Sequence, residues 1–142
     1  RSKYLSNLGI PLNTDSTLKG QTVFLAERCA ELMHENIITD RTIFDVMAFT
    51  QNAKSIAYQD KDAFEEYAKE FIREYDYIFY ISPHGLPIED NGVRETDEHY
   101  RDIIDFSITT FIKRYSHRAK TIEEISGSTE ERIQQILNIT GL

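Results

Sequence analysis

A chain of 142 residues, 40% hydrophobic and 28% charged with a mean hydropathy of −0.46, fits one domain around one core and is too short for two comfortable ones. A collagen, a disordered tail and a disulfide-stapled mini-protein are excluded. Sixteen Lys and Arg against 24 Asp and Glu give a formal net charge of −8, which repels a polyphosphate backbone and disfavours general nucleic-acid binding.

The single cysteine, Cys29, has no partner for an intramolecular disulfide, and no apolar run approaches the roughly 20 residues needed to cross a bilayer. A cytoplasmic setting without membrane contact is expected. The amino-terminal RSKYLSNLGIPLN has no apolar signal-peptide core and no initiator methionine, so the chain is expected to begin in mid-domain.

Between Asp15 and Glu35, Leu18, Thr22, Leu25, Cys29 and Leu32 recur at helical spacing, predicting an amphipathic helix. Asp15 or Ser16 would cap it, and Asn36 would leave it through a left-handed residue. Ile37-Ile38-Thr39 follows as a short β-branched strand buried on both faces. Helices are expected from Thr42 to about Ile56 and from Lys61 to Glu74. Tyr77 to Ile81 is the most strand-like stretch, stopped by Pro83, Gly85 and Pro87.

An irregular segment runs on to Thr96. The helix after it is the clearest of all, with Tyr100, Ile103, Ile104, Ile108, Phe111 and Tyr115 in a 3-4 rhythm and Asp102, Asp105 and Lys113 off that face. Lys120 to Ile125 reads as a further strand. Ser128 and Glu131 form a capping box ahead of a helix from Arg132 to Asn138. Strands alternate with helices throughout, so an α/β layer fold with a parallel sheet is expected, as a single domain without repeats or linkers.

In open parallel sheets ligands sit beyond the carboxyl ends of the strands. Three segments are expected there: Asp40-Arg41-Thr42, the loop from Ser82 to Thr96, and Ser126-Gly127-Ser128. An acid beside a guanidinium suits phosphoryl transfer, because the carboxylate accepts a hydroxyl proton or holds a magnesium-bound water while the Arg fork grips phosphate. The plainer role is an ion pair at the start of the Thr42 helix, with Asp40 as its N-cap. Arg94 and Arg101 flank one helix mouth and suit a lid closing over phosphates; alternatively Arg94 merely balances Glu89, Asp90 and Glu95.

Cys29 lies on an apolar helical face and reads as core rather than nucleophile. The four histidines, His34, His84, His99 and His117, lack zinc spacing. Tyr75, Tyr77 and Tyr80 read as sheet packing.

Taken in order, RSKYL at 1–5, IITDRTIFDVMAF at 37–49, YDYIFYISP, PIEDNGVRETDEHYR and the closing ISGSTEERIQQIL resemble the P-loop kinase-like ATPase family that includes nicotinamide riboside kinases, with an AAA-type ATPase domain. Similarity to deoxynucleoside and nucleoside monophosphate kinases is more distant. The resemblance spans nearly the whole chain and implies a three-layer parallel-sheet fold.

It implies that Asp40 and Arg41 stand near magnesium and the phosphoryl acceptor, and that Asp45 faces the acceptor pocket. Arg94 and Arg101 correspond to arginines of a lid-like segment, 83–101, that reach the donor phosphates, and Gly127 and Ser128 to the turn beside the nucleotide base. The departure is the lack of any G-x-x-x-x-G-K-[ST], whose amides and lysine anchor a triphosphate. The resemblance therefore implies a first, central strand and P-loop upstream of Arg1, with these 142 residues inactive by themselves.

The expected function is an ATP- or GTP-dependent, Mg2+-requiring kinase of a nucleoside, nucleotide or related small molecule. The alternative is a non-catalytic nucleotide-binding or protein-interaction module on a degenerate P-loop scaffold. Tyr and Phe side chains on the helices from Thr42 to Glu74 suit either a homo-oligomer interface or the acceptor pocket, and the pattern does not separate the two.

Overall fold

The computed structural model describes residues 9–11, 13–84 and 98–142. Five helices and two strands make up its regular framework: α1 (Leu18–Glu31), α2 (Ile43–Gln51), α3 (Tyr58–Ala68), β1 (Ile78–Tyr80), α4 (Glu98–Tyr115), β2 (Ile122–Glu124) and α5 (Thr129–Thr140). Short 3-10 turns occupy Asn13–Asp15, Lys69–Glu74 and Ser116–Arg118.

The centre of the molecule is α2. Its residues Ile43, Phe44, Val46, Met47, Ala48 and Thr50 are all buried, the pattern of a helix covered on nearly every side. Helix α4 packs against it most extensively, with α1 and α3 on its other flanks. Tyr100, Ile104, Phe111 and Tyr115 carry the inner face of α4 into this core, where Phe64, Ala68, Ile72 and Ile78 meet them. The 3-4 rhythm read in the sequence of α4 is its packing face except at Ile103, which is exposed.

Strands β1 and β2 pair in parallel, with Ile78 opposite Ile122 and Tyr80 opposite Glu124. The Ile78 N–H donates to Thr121 O at 2.8 Å, and the Ile125 N–H to Tyr80 O at 3.0 Å. Parallel neighbours need a crossover, and α4 lies between them in the chain. Among the described residues the fold is thus mixed helix and small parallel sheet, compatible with an α/β architecture. No helix among them is long and apolar enough to cross a membrane.

Three expectations are corrected. Ile37-Ile38-Thr39 is not a strand: Ile38 is 94% exposed, and no neighbouring strand among the described residues offers the ladder that would hold it. Asn36 is left-handed as expected, at φ 54, but α1 ends earlier, at Glu31, with Leu32 as a right-handed C-cap.

The inner face of α1 is also rotated from the apolar stripe. It buries Gln21, Leu25, Arg28 and Glu31, while Thr22 and Leu18 face outward. Gln21 Oε1 accepts from Thr50 Oγ1 at 3.4 Å, and Arg28 pairs with Glu31 at 3.1 Å. Polar groups enter because Thr50 of α2 and the Asp40 carbonyl just ahead of α2 offer them partners, which periodicity cannot register. The cap of α1 is Thr17, whose hydroxyl accepts from the Gly20 N–H at 3.1 Å, rather than Asp15 or Ser16.

Candidate functional site

The turn entering α2 is built around its cap. Thr42 Oγ1 accepts from the Phe44 N–H at 3.1 Å, and Asp45 Oδ2 accepts from the Thr42 N–H at 2.7 Å, so the two residues form a capping box. Thr42, not Asp40, is the N-cap. Burial pushes the Asp45 carboxyl up, opposed by the Thr42 N–H and by Arg41 nearby. Asp45 thus stands in the first turn of α2 with one oxygen committed to the backbone.

Just ahead of that cap, Arg41 is held at φ 79, in the left-handed region that costs a non-glycine residue about 1 kcal/mol or more. Its carbonyl accepts from Thr39 Oγ1 at 3.1 Å. Its guanidinium carbon lies 5.7 Å from the Phe49 ring centroid, a cation–π contact. Asp40 is exposed, and its carbonyl accepts from Arg28 Nη1 at 3.1 Å, tying the turn to α1. Asp40 and Arg41 form no ion pair with each other among the described residues. The strained turn therefore sends the acid to solvent and the cation onto a ring.

Phe49 carries the connection onward. Its ring packs 6.4 Å from that of Tyr100, tilted by 44°, which brings the Asp40–Arg41 turn to the first turn of α4. Arg101 is the next residue there, half-buried. Arg94 lies outside the described residues.

A second cluster stands one helical turn further along α4. Asp105, four residues beyond Arg101 and so on the same flank, accepts from the Tyr80 hydroxyl at 2.5 Å and faces His84 Nε2 at 3.8 Å. Tyr80 closes β1, so the cluster lies at the carboxyl end of the sheet. Burial and the Asp105 carboxylate both push the Tyr80 hydroxyl up, and Ser82 and Glu124 also face it. Spacing in sequence gave no sign of this cluster. Asp105 reads there as a solvent-facing residue of α4 and Tyr80 as packing; only a strand-end hydroxyl opposite an off-face carboxylate hints at it.

Gly127 and Ser128 follow the carboxyl end of β2. Gly127 adopts φ 97, and a Cβ there would come within 3.1 Å of the Glu131 carboxylate, so the turn requires glycine. Ser128 Oγ accepts from the Glu131 N–H, and Glu131 Oε1 from the Ser128 N–H, both at 3.1 Å. The expected capping box is formed, and its hydrogen bonds hold the Glu131 carboxyl below the usual range. Both residues thus have structural duties at the sheet edge.

Of the three segments expected at one sheet edge, Ser82–His84 and Ser126–Ser128 border the carboxyl ends of β1 and β2. The Asp40–Arg41 turn follows no strand and reaches α4 through Phe49 and Tyr100 instead. The Arg41 turn, through Phe49 and Tyr100, and the end of β1, through Tyr80 and His84 on Asp105, both meet the first two turns of α4, whereas Ser126–Ser128 bonds to Glu131 and Gln135 of α5.

Magnesium typically binds through one or two carboxylates plus substrate phosphates. The exposed Asp40 carboxylate fits that mode. Among the described residues no group of three or more His, Cys, Asp or Glu forms an all-protein cage. Cys29 is half-buried and burial pushes its thiol up, which keeps it protonated and unreactive.

Comparison with known proteins gives no family model, no curated relative and no solved structure that matches this chain.

Proposed function

We propose that this chain contributes the acceptor-side and charge-stabilising residues of a magnesium-dependent phosphotransferase that moves a phosphoryl group from ATP or GTP to a nucleoside, nucleotide or related small molecule. The observation that carries this reading is the strained turn at Arg41. A left-handed arginine at a helix entrance, set beside an exposed acid and steadied by an aromatic ring, is a local cost of the kind that persists at ligand sites.

Each group has a task in such a reaction. Asp40 accepts the proton of the attacking hydroxyl or holds a water of the bound magnesium, and that ion, when present, neutralises phosphate charge. Arg41 grips the acceptor, its fork pre-oriented on Phe49. Arg101, with Arg94, balances charge developing on the transferred group. Asp45 fixes the turn through the Thr42 amide, and Gly127 and Ser128 shape the edge against which a nucleotide base would lie. The triphosphate itself requires a phosphate-cradling loop that these 142 residues lack.

Transfer of labelled γ-phosphate by the protein purified from its native source, with magnesium and a panel of nucleosides and nucleotides, tests the proposal. Transfer that falls at least tenfold in Arg41→Ala supports it. Nucleotide binding without transfer to any acceptor would instead favour a non-catalytic nucleotide-binding module.

A further inference from the structure

The chain just ahead of Arg41 gives its backbone little support. Residues 32–40 form neither helix nor strand, and Met33 and Ile38 are 84% and 94% exposed. A non-glycine residue stays at φ 79 only where its surroundings over-determine it. On the downstream side the Thr42–Asp45 capping box supplies that constraint. The Thr39 hydroxyl, donating to the Arg41 carbonyl at 3.1 Å, adds a local one.

The upstream constraint comes from α1. Arg28 and Glu31 stand three residues apart on its inner face, both buried. Arg28 Nη2 donates to Glu31 Oε1 at 3.1 Å, and Arg28 Nη1 donates to the Asp40 carbonyl at 3.1 Å, across 12 residues of chain. That carbonyl belongs to the peptide joining Asp40 to Arg41. Rotation of that peptide plane against the Arg41 Cα is φ of Arg41 itself, so fixing the carbonyl on one side and the α2 cap on the other fixes the angle.

The arm that does this is rigid. Its helix is tied to α2 by the Thr50 hydroxyl on Gln21 at 3.4 Å and by Leu25 in the core, and its charge is steadied by Glu31. A planar guanidinium presents its donors in a fixed fork and serves two acceptors at once, whereas a lysine ammonium is a single point of charge on a flexible stem.

We propose that Arg28 is a positioning residue: by holding the Asp40–Arg41 peptide it keeps Arg41 left-handed and its guanidinium over Phe49, in place to grip the phosphoryl acceptor. The grip on the acceptor rests on the phosphotransferase reading, and the hold on the backbone does not.

Arg28→Lys tests both parts, because it keeps a cation beside the buried Glu31, whose charge would otherwise be stranded, and gives up the fork. The first readout is the difference in Tm between Arg41→Gly and Arg41→Ala, which reports left-handed strain at residue 41. With Arg28 in place the glycine variant should melt about 3 °C higher. In the Arg28→Lys background the two should melt within about 1 °C of each other, since residue 41 then leaves φ 79. The second readout is phosphate transfer. Arg28→Lys should lower kcat/KM for the acceptor at least tenfold and leave KM for the nucleotide donor within about twofold. Added to Arg41→Ala it should cost no more than about twofold further, because Arg28 acts through Arg41. Should Arg28→Lys lose its folded signal, Arg28→Gln with Glu31→Gln removes both buried charges together and makes the same comparisons.

A glycine–alanine difference that persists without the fork would overturn the hold. Losses from Arg28→Lys and Arg41→Ala that multiply, or a donor KM that rises as much as the acceptor KM, would overturn the positioning role. A difference that vanishes in a protein whose wild type transfers to no acceptor would support the hold and refute the phosphotransferase reading.

Discussion

The Arg41 guanidinium rests over the ring of Phe49, eight residues on, 5.7 Å from its centroid, although the Arg41 backbone must adopt φ 79 to enter α2. The strain and the stacking have separate consequences, and substitutions separate them. Arg41→Gly relieves the backbone and should be more stable than Arg41→Ala by about 1 kcal/mol in urea denaturation. Both lose the guanidinium, so under the proposed function both should lose at least tenfold in kcat/KM, about 1.4 kcal/mol of transition-state stabilisation. Equal stability of the two variants would show that the left-handed geometry carries no strain.

The cap of α2 gives a second comparison. Thr42→Ala removes the hydroxyl that holds the Phe44 N–H and should cost about 1 kcal/mol, a fall of roughly 3 °C in Tm for a chain of this size. Asp40→Ala, at an exposed position, should leave Tm within about 1 °C. The reverse order of effects would return Asp40 to the capping role.

Asp45 sets a pH dependence. Burial raises its carboxyl above the ordinary value, so between the unfolded and folded pKa the native state binds more protons than the unfolded chain. Stability from this group is present below the unfolded pKa, near 4, and is lost as pH rises through the folded value. Asp45→Asn keeps an oxygen to accept the Thr42 N–H and cannot ionise. Relative to wild type it should therefore gain stability between pH 3 and pH 7, measured by urea denaturation at both ends. A relative loss at pH 7 would mean that the ionised carboxylate is what the cap needs.

The tyrosines act at the other end of the scale. Burial, chiefly, pushes Tyr75 and Tyr115 up to about 12, and Tyr80 is raised further. Each keeps its proton longer when folded, so their stability contribution is complete below the unfolded pKa near 10 and is lost above it. Stability should fall steeply from pH 10 to 12. Tyr115→Phe should flatten that fall; an unchanged slope would exclude Tyr115 from the alkaline transition.

Tyr80→Phe tests the cluster at the end of β1. It removes the 2.5 Å hydrogen bond to Asp105, a carboxylate whose side chain is only 14% exposed. A hydrogen bond to a charged group contributes about 1.5–3 kcal/mol, and a loss of that order is expected at pH 7. A loss below about 0.5 kcal/mol would mean that His84 or water satisfies Asp105 instead.

Local signals carried much of this architecture in the sequence. The inner face of α4, the strand around Phe79, the left-handed Asn36 and the Ser128–Glu131 box each depend on residues within a few positions of one another, and each is present. What depends on distant partners was hidden. Ile37-Ile38-Thr39 has strand composition but no described neighbour to pair with, and the buried face of α1 follows Thr50 and Asp40 rather than its own periodicity. The candidate site divides the same way: Asp40, Arg41 and Arg101 stand out by type and position. The ring of Phe49 that carries Arg41 to α4, and the Tyr80–Asp105 contact 25 residues apart, exist only once the helices pack.

Under the proposed function, phosphoryl transfer depends on the Arg41 turn. Its most direct measurement is the rate of labelled γ-phosphate transfer, from ATP or GTP with magnesium, by wild-type and Arg41→Ala protein from the native source. Magnesium-dependent transfer to a nucleoside-type acceptor is expected, falling at least tenfold in the variant with Tm lowered by no more than about 3 °C. Transfer at an unchanged rate in the variant, or none to any acceptor by the wild type, would contradict it.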